Sequence, residues 1–155
     1  MSQTLPQNHF VDQPFQTTVR DHVKLDGIGL HSGRFAELSI CPAPANTGIK
    51  FRRIDVDKSL QTVSAHARFA KSSRLCTRIV NDKGIGLETI EHLMAAFAGI
   101  GLDNVVVEIN APEVPILDGS SQPIFDALSI AGLELLPARR NHIVVTKAVC
   151  VSLED

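Results

Sequence analysis

The chain has 155 residues, 44% of them hydrophobic and 21% charged, with a formal net charge of −2 at pH 7. That length fits one domain and lets roughly 70% of the unfolded surface be buried, while the charge balance provides no positive field to recruit nucleic acid or anionic lipid. No apolar run approaches the ~20 residues of a membrane span, and the N-terminus, MSQTLPQNHFVDQPFQ, lacks the basic start and apolar stretch of a signal peptide.

Residues 1–16 include Pro6 and Pro14 and show no hydrophobic period, which predicts a flexible tail. Thr18–Leu25 reads as a strand, with Val19, Val23 and Leu25 available to one face. Asp26-Gly-Ile-Gly-Leu-His-Ser-Gly33 is a loop punctuated by glycines, Phe35–Cys41 a second strand, and Pro42–Gly48 a turn. Ile49–Ile54, Thr62–Phe69 and Leu75–Val80 are further strands, the last closed by the turn Asn81–Gly84. A helix starts near Thr89, where Ile90, Leu93, Met94 and Phe97 form one apolar stripe, and stops at Gly99 and Gly101. Asn104–Asn110 is a strand, Ala111–Gly119 a rigid connection, and Pro123–Ala131 a second helix with proline in its first turn. His142–Leu153 reads as strand. This order predicts an α+β fold: a two-layer sandwich with two helices on one face of a mixed, mainly antiparallel sheet.

Three cysteines, Cys41, Cys76 and Cys150, stand far apart without a CxxC pair, which points to reduced thiols and a cytoplasmic location. Glu91 and His92 stand out as a polar pair in the first turn of an otherwise apolar helix. Two readings fit them. A first-turn glutamate complements the helix dipole, and a single histidine is commonly structural. Alternatively, both groups reach around a point beyond the helix end, where an imidazole can bind zinc and a carboxylate can take a proton from water. No HExxH spacing is present, since Ala96 occupies the fourth position after His92. The glycine loop bearing His31 leads into a strand, so it reads as a tight turn rather than a phosphate cradle. Asp118-Gly119-Ser120 reads as a turn in which the aspartate bonds nearby amides. Cys76 falls in an apolar strand as a core thiol. His22, His66 and His142 carry no functional signal.

Six segments occur in order: Gly27-Ile-Gly-Leu-His-Ser-Gly33, Pro42-Ala-Pro-Ala-Asn-Thr-Gly48, Leu75-Cys-Thr77, Thr89-Ile-Glu-His-Leu-Met-Ala-Ala96, Gly101-Leu-Asp-Asn104 and Asn110-Ala-Pro-Glu-Val-Pro-Ile-Leu-Asp-Gly-Ser120. Together they resemble the UDP-3-O-acyl-N-acetylglucosamine deacetylase family, the zinc hydrolases of the committed step in lipid A biosynthesis. The resemblance runs from residue 17 to the end. It implies two similar α/β sandwich domains with the active site between them, of which residues 17–141 match the first and 142–155 the start of the second. By the same resemblance, Glu91 is the general base and His92 a ligand of one catalytic Zn2+. Leu75 and Cys76 lie near the metal, with Cys76 a potential ligand of a second, inhibitory zinc, and His31 and Asp118 line the cleft.

The family's second domain supplies the remaining zinc ligands, an acid histidine and most of an apolar passage for the acyl chain. The resemblance therefore implies a UDP-3-O-acyl-N-acetylglucosamine substrate and a fragment, a truncated product or half of a split enzyme, inactive alone and partnered by a separate C-terminal half. The competing expectation is a non-catalytic interaction module that keeps the fold. An RNA-binding sandwich is disfavoured by the charge balance.

Overall fold

The computed structural model describes residues 13–73, 75–141 and 144–151. Among them the elements run β1 (Phe15–Val19), β2 (Val23–Ile28), β3 (Phe35–Pro42), β4 (Ile49–Arg53), β5 (Thr62–Ser64), a 3-10 turn (Ala67–Phe69), β6 (Ala70–Lys71), β7 (Arg78–Val80), β8 (Gly86–Leu87), α1 (Glu91–Ile100), β9 (Val105–Ile109), α2 (Gln122–Ala131) and β10 (Leu133–Arg139). The α+β class read from the sequence holds, with mainly antiparallel sheets and two helices packed together.

The main sheet has the order β2-β3-β9-β4-β5. Its centre is β9, where Val105, Val107 and Ile109 turn inward and are fully buried while Val106 and Glu108 between them are not. The register aligns Ile40 of β3, Val107 and Phe51 of β4 in one row across the sheet. None of the three retains exposed surface. The β4–β9 pair is parallel and the others are antiparallel, so the sheet is mixed as expected. Leu93 and Phe97 of α1 and Ile124 and Leu128 of α2 close the core. Gly99, within α1, faces the Phe125 ring of α2, where a Cβ would stand 3.7 Å away in ordinary contact. The helix ends two residues later, at Gly101, whose φ of 78° no β-branched residue adopts readily.

The structure corrects several expectations. The strand read over Thr18–Leu25 is two strands, broken at Arg20–His22, because β1 leaves the main sheet to pair with β10. Phe15 and Gln16 therefore belong to β1 rather than to a tail, and the remainder of that tail lies mostly outside the described residues. The sequence reading missed β10: Pro137 and weak alternation hide it, and its register is set by a partner more than a hundred residues away, as Leu133 faces Val19. Instead of one sheet there are three, the others being β1-β10 and β6-β7-β8. Thr62–Phe69 shortens to β5 plus the 3-10 turn, and Leu75–Val80 to β7. Of the strand expected over His142–Leu153, residues 144–151 carry no regular structure, and Val144, Val145, Val149 and Val151 are exposed; the other positions lie outside the described residues. No helix among the described residues is long and apolar enough to cross a membrane.

Candidate functional site

Helix α1 begins at Glu91, not at Thr89, because Thr89 is held at φ 59°, in the left-handed region that a β-branched residue rarely enters. Glu91 and His92 thus occupy its first turn, both half-buried. The Glu91 carboxylate accepts the N–H of Thr77 at 2.9 Å, and the carbonyl of Thr77 accepts the N–H of Ile90 at 3.4 Å. Thr77 is thus pinned to the helix start through both its N–H and its carbonyl, directly after Leu75 and Cys76 in the chain. His92, turned about 100° from Glu91 around the helix, comes within electrostatic reach of Asp118.

Asp118 is exposed and accepts both the N–H and the hydroxyl of Ser120 at 2.9 Å. Those two bonds, with a smaller contribution from His92, lower its carboxyl pKa. The turn expected at Asp118–Ser120 is present. Ser120 in turn accepts the N–H of Gln122 at 3.1 Å, at the first residue of α2.

His31 is exposed on the loop after β2, and together with Ser73, Leu75, Cys76, Arg78 and Glu88 it lines an open cleft of about 360 Å³. Leu75 is 85% exposed with φ 63°, so it cannot start a strand. Cys76 is a half-buried thiol in a bend, not a strand-core residue, and sits 3.4 Å from the Ser73 hydroxyl. That hydroxyl also donates to the Cys76 carbonyl. Across the cleft Arg78 Nε faces Glu88 at 3.1 Å, outside hydrogen-bond alignment. The structure thus joins His31, Leu75 and Cys76 in one cleft and links Glu91 to the adjoining Thr77, while His92 acts on Asp118 only through its charge. Neither Glu91 nor His92 lines the cleft itself.

One residue the sequence reading passed over connects these parts. Glu113, only 1% exposed, accepts the backbone N–H groups of His31 at 2.9 Å and Ser32 at 2.7 Å, and the hydroxyl of Thr89 at 2.7 Å. Burial disfavours its charge, but these donors and the Ser32 side chain outweigh that and bring its pKa down to about 2. The available signal was a charge set between Pro112 and Val114 in a mostly apolar connection whose other charge is Asp118. Backbone strain gathers here as well: of the four non-glycine residues with positive φ among the described residues, three (Leu75, Thr89 and Leu117) lie in or beside these segments.

Chemically, the first turn of α1 presents a carboxylate, an imidazole and helix N–H groups that favour negative charge. Among the described residues no three His, Cys, Asp or Glu side chains converge to hold a metal ion. Catalytic zinc takes three protein ligands, so these residues alone do not fit it.

A family model described as UDP-3-O-acyl N-acetylglycosamine deacetylase matches residues 16–155. The UDP-3-O-acyl-N-acetylglucosamine deacetylase of Shewanella halifaxensis is 45% identical over 141 residues, covering 91% of this chain and 46% of the relative. That of Vibrio atlanticus is 46% identical over 134 residues, covering 86% and 44% respectively. The chain therefore spans about half the length of the curated relatives it matches.

Proposed function

The chain belongs to the UDP-3-O-acyl N-acetylglycosamine deacetylase family, and from that premise we propose that it supplies the first-domain share of a deacetylase site. The reaction is hydrolysis of the N-acetyl group of UDP-3-O-(3-hydroxyacyl)-N-acetylglucosamine, the committed step of lipid A biosynthesis, in the cytoplasm. Water attacks the acetyl carbonyl, the C–N bond breaks, acetate leaves and the glucosamine amine takes up a proton. Glu91 accepts the proton of the attacking water, and the N-terminus of α1 favours the negative charge that develops beside it. His92 is the one zinc ligand assigned to this chain; the other donors, and the group that protonates the amine, come from sequence matching the other half of the relatives. His31, Leu75, Cys76 and Asp118 line the substrate side.

The observation that supports this reading most is the Glu91–Thr77 bond, which sets the carboxylate between the helix N-terminus and the Leu75–Cys76 segment. The test is acetate release from the acylated UDP-sugar by this chain, by the uncovered half of the Shewanella halifaxensis relative, and by the two mixed with zinc. Turnover is expected only in the mixture. A mixture of two folded, associated halves that releases no acetate would refute the proposal. The incomplete donor set favours a second reading, a non-catalytic interaction module, which predicts that Glu91→Ala and His92→Ala leave the chain's biological role intact.

A further inference from the structure

The buried carboxylate of Glu113 joins the His31 loop to Thr89, two residues ahead of Glu91. Its donors come from two separate segments: the backbone of the loop after β2, and the Thr89 side chain. The connection that carries Glu113 is itself stitched to both. Glu88 donates its N–H to the carbonyl of Pro112 and accepts the N–H of Val114, while Ile116 donates to the carbonyl of Ile28.

The loop is shaped to this carboxylate. A Cβ on Gly29 would stand 2.5 Å from a Glu113 carboxylate oxygen, so only glycine lets the backbone wrap so close. Thr89 carries a strained left-handed backbone, and its hydroxyl bond to Glu113 opposes relaxation of that turn. Where Thr89 points decides where α1 starts, and so where Glu91 and His92 sit.

We propose that Glu113 is a positioning residue: it fixes the His31 loop and the start of α1 relative to each other, so that His31 and the Glu91–His92 pair share one geometry. The inference rests on the reading of Glu91 and His92 as the chain's part of the site, but the linkage is measurable without turnover. A carboxylate that merely anchors the loop predicts no response at α1. A positioning carboxylate predicts that changes on the loop side reach Thr77 and His92.

Amide and imidazole NMR spectra of the 155-residue chain separate these cases. Glu113→Gln replaces half of the acceptor with an amide N–H and is expected to shift the His31 and Ser32 amides together with the Thr77 amide and the His92 ring signals. Gly29→Ala, which pushes the carboxylate aside, is expected to give the same pattern. Thr89→Val removes the hydroxyl donor on the helix side, so the His31 and Ser32 amides across the carboxylate should shift as well. If Glu113→Gln or Gly29→Ala does not fold, Thr89→Val decides through those two amides, which respond only if the carboxylate couples the two sides. Unmoved Thr77 and His92 signals in folded Glu113→Gln and Gly29→Ala, or unmoved His31 and Ser32 amides in folded Thr89→Val, would overturn the proposal. Coupled shifts without any acetate release by the complemented wild-type chain would leave the linkage standing and remove the deacetylase reading instead.

Discussion

Glu113 is a buried carboxylate whose charge depends wholly on its donors. Its pKa falls from the ordinary 4.5 to about 2, so the folded state binds its proton more weakly than the unfolded chain does. The stabilisation is therefore complete above pH 4.5 and is lost as the pH falls from there toward 2. A depression of this size corresponds to about 3 kcal/mol, a sizeable part of the roughly 5–15 kcal/mol typical of a domain. Glu113→Gln should accordingly destabilise the chain by about that amount in denaturant titrations at pH 7, with the gap to wild type shrinking between pH 4.5 and 2. A gap that stays constant through that range would show that the ionised carboxylate contributes little. The site residues differed in how far the sequence disclosed them. Glu91 and His92 stood out because their helix is otherwise apolar, and Asp118–Ser120 showed its turn directly. Glu113 was hidden, because two of its donors are backbone amides that no side-chain pattern records and the Thr89 hydroxyl lies 24 residues away.

At the scale of elements, the apolar period of α1 was readable because burial is a property of spacing. Leu93 and Phe97 fall on the predicted stripe and are fully buried. Leu93→Ala should cost about 2–5 kcal/mol, by loss of buried methyl groups and the cavity they leave; calorimetry showing a loss well below 1 kcal/mol would mean that the helix repacks freely. The same period could not locate the helix start. That depends on the left-handed Thr89, held by a contact across 24 residues of sequence. Leu75 behaves alike: its apolar side chain continues the strand pattern, but its φ of 63° ends the strand before it reaches β7. Strand β9 was legible for the opposite reason, since an uninterrupted Val-Val-Val centre has few other places to go.

For the whole molecule, pairing between the two ends of the fold was the part least visible in sequence. Strand β1 runs antiparallel to β10, and side chains reinforce the join. Thr17 bonds to Asp103 and the Gly101 carbonyl, and Arg140 forms an ion pair with the same aspartate at 2.8 Å. The residues expected to open a second domain stand exposed as Val144, Val145, Val149 and Val151. The proposed role of Glu91 as the base of a site completed from outside the described residues can be measured as the acetate-release rate of the two-half mixture with wild-type chain or with Glu91→Gln, at equal zinc content. The variant should be slower by about 100-fold or more; an unchanged rate in a variant that folds and binds its complement would rule Glu91 out as the base.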